Sequence, residues 1–311
     1  MANADNISIV VPAYNEEGNI AELYRRLTAL LDGRDESFEI IFVDDGSADD
    51  TLERIAELSE RDERVKAVSF SRNFGHMKAL CAGLDHASGS AVITMDADLQ
   101  HPPELIPRLL DKWRAGYEIV GTIREEAADT GAFKRTTSRW FYGLMNRIGG
   151  IDLPRGAADY RLLDRKVVDT LKNMQERSRF LRGMIGWVGY RKTFLNYRAD
   201  PRFAGSTKYS FSRMLRFALD GITSFSAVPL RLSAFVGVLV ALSGFVYAAY
   251  ALYTRFFTDR AIQGWASVLV AVLLIGGVQL VFLGVIGEYL SRVYEEAKQR
   301  PLYIVRRKIR L

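Results

Sequence analysis

Two long runs without a formal charge lie in the last third of the sequence. Residues 232–254 read "LSAFVGVLVALSGFVYAAYALYT", and residues 261–287 contain "WASVLVAVLLIGGVQLVFLGVIG". At a helical rise of about 1.5 Å per residue, the first run covers roughly 34 Å, more than the ~30 Å hydrocarbon core of a bilayer. A helix that stays apolar on every face over this length is typical of a membrane span. The sequence therefore predicts two transmembrane helices, at 232–254 and 261–287.

Basic residues around these runs predict their orientation. The connection between them holds Arg255 and Arg260 against Asp259, whereas residues 292–311 hold seven basic and two acidic residues. That net charge of +5 equals the charge of the whole chain, so the rest is neutral, which excludes the basic body of a nucleic-acid-binding protein. The positive-inside rule then places both termini in the cytoplasm and the short connection outside. We expect a multi-pass protein of the inner (plasma) membrane with a basic cytoplasmic tail at 288–311.

The segment before the first span has the pattern of an amphipathic helix. Its apolar residues recur at helical spacing between 211 and 231, with arginines and an aspartate on the other faces. The position next to a span favours a helix in the headgroup region. A helix that packs on the soluble domain remains the alternative. The apolar residues are Phe211, Met214, Leu215, Ala218, Ile222 and Phe225.

Residues 1–210 alternate between strand and helix patterns. Short runs rich in Val and Ile predict buried strands, and the amphipathic stretches between them predict helices. This alternation indicates an α/β domain with a mostly parallel sheet that is flanked by helices. The predicted strands are 7–11, 39–43, 65–70, 91–95 and 117–121, and the predicted helices are 16–31, 49–60, 76–86 and 103–114.

Polar motifs follow three of these strands. They read "PAYNEE" after the first strand, "DDGS" after the second and "DAD" after the fourth. Each by itself is compatible with a helix cap or a turn. The carboxyl ends of parallel strands, however, share one edge of a sheet, where ligands bind. The sequence has no G-x-x-x-x-G-K-[ST] loop and no G-x-G-x-x-G after a strand, which argues against an ATPase and a Rossmann dehydrogenase.

Four motifs in this order resemble those of the nucleotide-sugar glycosyltransferases of family 2. They are "VVPAYNEE", "VDDGS", "MDADLQHPPE" and "RFAGSTKYSF". With the paired spans, the chain is similar to the polyprenyl-phosphate glycosyltransferases, among them bactoprenol glucosyltransferases and dolichol-phosphate mannose synthases. The resemblance implies a GT-A fold for residues 1–210, followed by the interfacial segment, the two spans and the tail.

Asp96 and Asp98 are the candidate metal ligands in this reading. Two carboxylates one residue apart in a strand-end loop can face one site and attract a hard cation, Mg²⁺ or Mn²⁺. The cation would neutralise the diphosphate that leaves from a nucleotide sugar. The sequence offers no cluster of His or Cys ligands, so zinc is not expected.

The resemblance assigns further residues to the nucleotide-sugar site. Asp159 corresponds to the catalytic aspartate of the family. A lipid monophosphate is largely dianionic at neutral pH, so it needs no base, and Asp159 either orients cationic groups or removes a residual proton. His76 and Lys78 lie in a stretch that is similar to one of the family and are not assigned a catalytic role. The residues expected to bind the nucleotide sugar are Pro12, Tyr14, Glu16, Val43, Asp45, Ala97, Gln100, Arg124, Arg202 and Lys208.

The resulting prediction is an inverting hexosyltransferase. It would transfer glucose from UDP-glucose to undecaprenyl or another polyprenyl phosphate at the cytoplasmic face of the membrane. GDP-mannose and an aminoarabinose donor remain open, as does a non-catalytic membrane scaffold or translocator. A processive synthase is disfavoured because Arg139-Trp140 precedes Asp159 and Thr136 stands where such enzymes carry Gln. The family resemblance also implies a homo-oligomer, with a tetramer as one possibility.

Overall fold

The chain divides into two compact units. A computed structural model describes residues 6–34, 36–125, 154, 156–177, 179–198, 226–257 and 264–311. The first unit comprises Met1–Ala218 with Arg300–Leu311, and the second comprises Leu219–Gln299. The predicted amphipathic segment lies outside the described residues up to 225, and so do Arg202 and Lys208.

An eight-stranded mixed sheet forms the centre of the first unit. Its spatial order is β7-β5-β6-β4-β1-β2-β3-β8. Six strands run parallel, whereas β6 and β8 run antiparallel to their neighbours. The prediction of a mostly parallel sheet is confirmed. The strands are β1 (Asn6–Ala13), β2 (Ser37–Asp44), β3 (Val65–Phe70), β4 (Ala91–Thr94), β5 (Ile119–Arg124), β6 (Ala157–Asp164), β7 (Lys192–Tyr197) and β8 (Val305–Ile309).

Helices cover both faces of this sheet, as the apolar strands require. In β1, Ile9, Val10 and Val11 are fully buried although successive side chains point to opposite faces. Helix α1 buries Ile20 and Leu27 at helical spacing. Within the described residues, the helices of this unit are α1 (Glu17–Leu31), α2 (Thr51–Arg61), α3 (His76–His86), α4 (Ile106–Arg114), α5 (Arg165–Asn173) and α6 (Leu181–Trp187), and one 3₁₀ turn, Pro103–Leu105, precedes α4.

Three strands have no counterpart in the sequence prediction. Strand β6 inserts antiparallel between β4 and β5, with Arg161 opposite Thr94. Strand β7 pairs with β5 at one edge of the sheet. The segment 288–311, which the sequence analysis treats as one basic tail, contains the end of a helix and then β8, which pairs antiparallel with β3. The C-terminus therefore forms the other edge of the sheet.

The second unit consists of two long apolar helices, α7 (Val228–Phe257) and α8 (Trp265–Lys298). Segments Val228–Tyr250 and Leu274–Lys298 are long and apolar enough to cross a membrane. The helices approach closely at Gly237, where a β-carbon would lie 3.4 Å from the ring of Phe282. Their exposed apolar surface indicates that the protein associates with a membrane.

Helix α3 packs so closely on β1 that Gly83 has no room for a side chain. A methyl group there would lie 2.1 Å from Cγ1 of the buried Val10. We predict that Gly83→Ala destabilises the protein by about 1–3 kcal/mol, because the core must shift to accept the methyl group. The apparent melting temperature of the full chain in detergent measures this effect.

Gly18→Ala is the matched control, because Gly18 is exposed in α1 and a β-carbon there meets no atom within 4 Å. This change should leave the melting temperature unchanged or raise it, since alanine favours a helix by up to about 1 kcal/mol over glycine. Equal melting temperatures for the two variants would contradict the predicted packing of α3.

Candidate active site

The polar strand ends meet at one edge of the sheet. Hydrogen bonds join neighbouring loops, from the Asp45 N–H to the Ala13 carbonyl (2.9 Å) and from the Met95 N–H to the Val10 carbonyl (3.0 Å). Strand β6 starts at the same edge, because it runs antiparallel to β4, and the Thr94 hydroxyl donates to the Asp159 carbonyl. The topology thus brings the loops after β1, β2 and β4 together with Asp159.

The loop after β4 presents Asp96 and Asp98. The Asp96 N–H donates to Nδ1 of the buried His101 (2.9 Å), and the Asp98 carboxylate accepts from the Gln100 N–H (3.1 Å). Leu99, between Asp98 and Gln100 in this turn, has a φ of 62°, a left-handed conformation that costs a non-glycine residue about 1–2 kcal/mol. Strained backbone of this kind is concentrated at functional sites, where the surrounding structure holds it in place.

One carboxylate oxygen of Asp96 is suited to a cation. Among the described residues, this Oδ1 is buried and makes no hydrogen bond; Nε2 of His76 lies 3.5 Å away. A buried carboxylate oxygen without a donor is costly unless a cation or a ligand compensates it. In the described part of the chain, no three His, Cys, Asp or Glu residues are placed to hold a metal ion by themselves. A divalent cation therefore fits this loop if ligand oxygens complete its coordination.

The Asp159 carboxylate, in contrast, is fully occupied by cationic groups. It is 6% exposed. Its Oδ1 accepts from Arg161 (2.7 Å) and from Nε of Arg182 (2.9 Å), and its Oδ2 accepts from Nη2 of Arg182 (2.7 Å). Nε2 of His76 lies 3.6 Å from Oδ2, so the imidazole stands between Asp159 and Asp96. Among the described residues, the two guanidinium groups and the carboxylate together carry a net charge of +1.

These contacts set the protonation states of the cluster. Burial by itself raises the pKa of Asp159, but Arg182, His76 and Arg161 outweigh it and hold that pKa well below its usual value. Burial lowers the pKa of His76, yet the Asp159 and Asp96 carboxylates outweigh it and raise the pKa above its ordinary value. Asp159 is therefore an anion at neutral pH, and its depressed pKa makes it a weak base.

The loop after β2 is tied to the loop after β3. Both carboxylate oxygens of Asp45 accept backbone N–H groups, from Phe74 (2.6 Å) and Gly75 (2.8 Å). Burial raises the pKa of Asp45, and these two hydrogen bonds oppose that effect. Gly46 allows the contact, because its φ is 69° and a β-carbon would lie 2.4 Å from the backbone of Arg72. Asp45 thus holds the segment that leads into His76.

The other residues predicted to bind the nucleotide sugar differ in solvent exposure. Tyr14 is 46% exposed, whereas Pro12 and Val43 face each other inside the sheet and are buried. The Glu16 carboxylate contacts the Asn19 amide. Arg124 donates to the Gln100 side chain (3.3 Å), which brings the end of β5 to the loop after β4. Ala97 is buried.

Arg182 is the residue of the cluster that the sequence did not indicate. It lies on α6, 23 positions after Asp159, in no recognisable motif. A buried carboxylate requires cations or hydrogen-bond donors around it, but the sequence does not tell which residues supply them. His76, by contrast, lies in a stretch that is similar to one of the family, and Arg161 follows Asp159 by two residues, although neither was assigned a catalytic role from the sequence.

Comparisons with known proteins agree with this architecture. Residues 8–172 match Glycosyl transferase family 2, and residues 228–293 match the GtrB C-terminal hairpin. The chain is 48% identical to the uncharacterized glycosyltransferase YkcC of Bacillus subtilis (96% of this chain, 93% of that one). It is 42% identical to the prophage bactoprenol glucosyl transferase homolog of Escherichia coli K12 (97% and 98%) and to the bactoprenol glucosyl transferase of Shigella phage SfV (96% and 98%).

Among solved structures, the chain is similar to glucosyl-3-phosphoglycerate synthase from Mycobacterium tuberculosis. The two share 19% identity over 70% of this chain and 78% of that one, with a TM-score of 0.48. This similarity is too low to support an argument about the site. The match over residues 8–172 and the nearly full-length relatives are sufficient for an assignment. The chain belongs to glycosyl transferase family 2 and is a glycosyltransferase.

Proposed function

We propose that this enzyme transfers glucose from UDP-glucose to undecaprenyl phosphate or a similar polyprenyl phosphate. The observation that carries the proposal is the pairing of an anionic loop, Asp96 and Asp98, with a positively charged cluster around Asp159 at the same edge of the sheet. The names of two relatives, bactoprenol glucosyl transferases at 42% identity over nearly the whole chain, support glucose and a lipid acceptor.

Asp96 and Asp98 would hold Mg²⁺ or Mn²⁺ in this proposal. When bound, the cation stabilises the negative charge of the leaving nucleoside diphosphate. Tyr14 offers an exposed ring for the base. Arg124, which is hydrogen-bonded to Gln100 in the same loop as Asp98, is assigned to the diphosphate in this proposal. The remaining assignments, Pro12, Glu16, Val43, Asp45, Ala97, Arg202 and Lys208, stay predictions from the resemblance.

Asp159 acts as a positioning group in this mechanism. The acceptor phosphate carries its own negative charge, with a second pKa of about 6, so its attack requires no base. The Asp159 carboxylate fixes Arg182 and Arg161 in one geometry, and their positive charge favours an anionic acceptor next to the donor. The phosphate oxygen attacks the anomeric carbon opposite the leaving diphosphate, which inverts the configuration and gives a β-linked product.

The membrane helices place this reaction where the lipid acceptor lies. We propose that α7 and α8 both span the inner (plasma) membrane, with both termini and the catalytic unit in the cytoplasm, as the distribution of basic residues predicts. Anchoring raises the effective concentration of a water-insoluble acceptor. Assembly into a homo-oligomer such as a tetramer, and donors such as GDP-mannose or an aminoarabinose nucleotide, remain alternatives to be tested.

The central test is a transfer assay. Membranes that contain the full chain, incubated with UDP-glucose, Mg²⁺ and polyprenyl phosphate, should form glucosylated lipid that mass spectrometry detects. We predict that Asp96→Asn or Asp98→Asn lowers kcat by about 100-fold or more, the order of loss seen when transition-state charge stabilisation is removed. Chelation of divalent cations by EDTA should abolish transfer, and added Mn²⁺ or Mg²⁺ should restore it.

Asp111→Asn is the matched control, because Asp111 is an exposed carboxylate on α4. This variant should keep wild-type kcat. If the wild-type protein forms no product with UDP-glucose or any other common donor, the transferase proposal fails and the scaffold alternative is favoured. Equal activity of Asp98→Asn and Asp111→Asn would instead reject the assignment of the metal ligands.

The pH dependence distinguishes a positioning role of Asp159 from a base. Because its pKa is depressed, Asp159 stays ionised above its usual pKa and contributes no titration between about pH 5 and 9. We predict that kcat/KM falls below about pH 6, where the acceptor phosphate gains a proton. A polyprenyl phosphonate acceptor, whose second pKa is higher, should move this limb to higher pH. A limb that keeps its position with both acceptors would assign the titration to a group of the enzyme and contradict its assignment to the acceptor phosphate.

A further inference from the structure

The C-terminal strand lies beside a loop of the candidate active site. Strand β8 pairs with β3 from Ala67 opposite Ile309 to Phe70 opposite Val305. The pairing continues past the strand, because the Ser71 N–H donates to the Ile304 carbonyl (3.0 Å). The C-terminal segment therefore follows β3 to the point where the loop 71–75 begins.

Tyr303, just before β8, contacts both elements that this loop connects. Its ring stacks on Phe70, the last residue of β3, with centroids 4.9 Å apart and an interplanar angle of 16°. Its hydroxyl donates to a carboxylate oxygen of Asp85 on α3 (2.9 Å). Tyr303 therefore fixes the end of β3 relative to α3, the two anchors of the loop.

A chain of contacts leads from Tyr303 to the nucleotide-sugar site. The Phe70 ring packs edge-on against Phe74, with centroids 5.7 Å apart and an interplanar angle of 89°. The N–H groups of Phe74 and Gly75 are the donors to the Asp45 carboxylate. The next residue, His76, lies between the Asp96 and Asp159 carboxylates. Three aromatic rings thus connect the C-terminal segment to the backbone that orients Asp45 and His76.

We propose that Tyr303 is a positioning residue for the nucleotide-sugar site, acting through Phe70 and Phe74 on the loop 71–75. Rigid aromatic pairs transmit position well, since each pair has a preferred geometry and adds stabilisation beyond its buried area. Loss of the stack leaves Phe70 and Phe74 free to repack, so the two N–H groups no longer hold Asp45 in one place. The proposal rests on the proposed function for the role of Asp45 at the donor.

Arg310 provides a matched control at the other end of the same strand. Its Nε donates to the Ser59 carbonyl on α2 (2.9 Å), and its guanidinium lies 3.8 Å from Glu63. It therefore attaches β8 to the domain without contacting the loop 71–75. Arg310→Ala weakens the same strand, whereas Tyr303→Ala also removes the aromatic connection. Tyr303→Phe keeps the stack and removes the hydrogen bond to Asp85.

The experiment compares these three variants of the full chain in two measurements. The first is hydrogen–deuterium exchange of the peptide that covers residues 71–79, which needs no substrate. The second is the steady-state kinetics with UDP-glucose. We expect faster exchange in Tyr303→Ala and a KM for UDP-glucose raised about threefold to tenfold, the factor that corresponds to one aromatic pair, with kcat changed less than about twofold. Tyr303→Phe and Arg310→Ala should resemble the wild type in both measurements.

Each outcome decides a different point. If Tyr303→Ala matches Arg310→Ala in exchange and in KM, the strand is a structural edge only and the inference is wrong. If Tyr303→Phe shows the full effect, the hydrogen bond to Asp85 rather than the stack is responsible, which also overturns it. If the wild type transfers no glucose from UDP-glucose, the proposed function fails, and the exchange data still decide whether Tyr303 orders the loop.

Discussion

The buried ion pair between Asp159 and two arginines is the interaction on which the site depends. A carboxylate that is 6% exposed is stable in this interior only because Arg161 and Arg182 compensate its charge. The same contacts join β6 to α6, and Nε2 of His76 lies 3.6 Å from the Asp159 carboxylate. Removal of one partner would leave an uncompensated charge in the interior, so the cluster acts as one unit.

The carboxylates at this edge of the sheet have different environments and therefore different roles. Asp159 is surrounded by cationic donors, and Asp45 by backbone N–H groups, so both orient the protein around them. Asp96 has a buried oxygen that no described group donates to, so it is available to an external cation. His76 stands between the two kinds of site and links their geometry. In the proposed transfer, Asp159 and Asp45 therefore hold the protein in position, whereas Asp96 is available to bind a cation.

The path of the chain connects the catalytic unit to the membrane helices twice. The chain leaves the first unit before α7 and returns after α8, where β8 completes the sheet. After α8, the chain places Tyr303 against Phe70 at the end of β3. Phe70 in turn contacts Phe74, in the loop whose N–H groups bind Asp45. The strand also covers an edge that would otherwise expose unpaired backbone groups. Its exposed, charged residues are typical of a sheet edge in contact with water.

Local residue patterns were sufficient to predict much of this structure. Alternating apolar runs gave five of the strands and four helices, two uncharged runs indicated the helices α7 and α8, and the strand-end motifs located Asp96 and Asp98. The tertiary structure alone decided the partners that are distant in the sequence. Strand β8 is too charged to be predicted as a strand, because backbone pairing with β3 and not an apolar pattern forms it. Arg182 lies in no motif, because its role depends on the contact of α6 with Asp159 on β6. Such contacts depend on topology, which residue pattern does not encode over long separations.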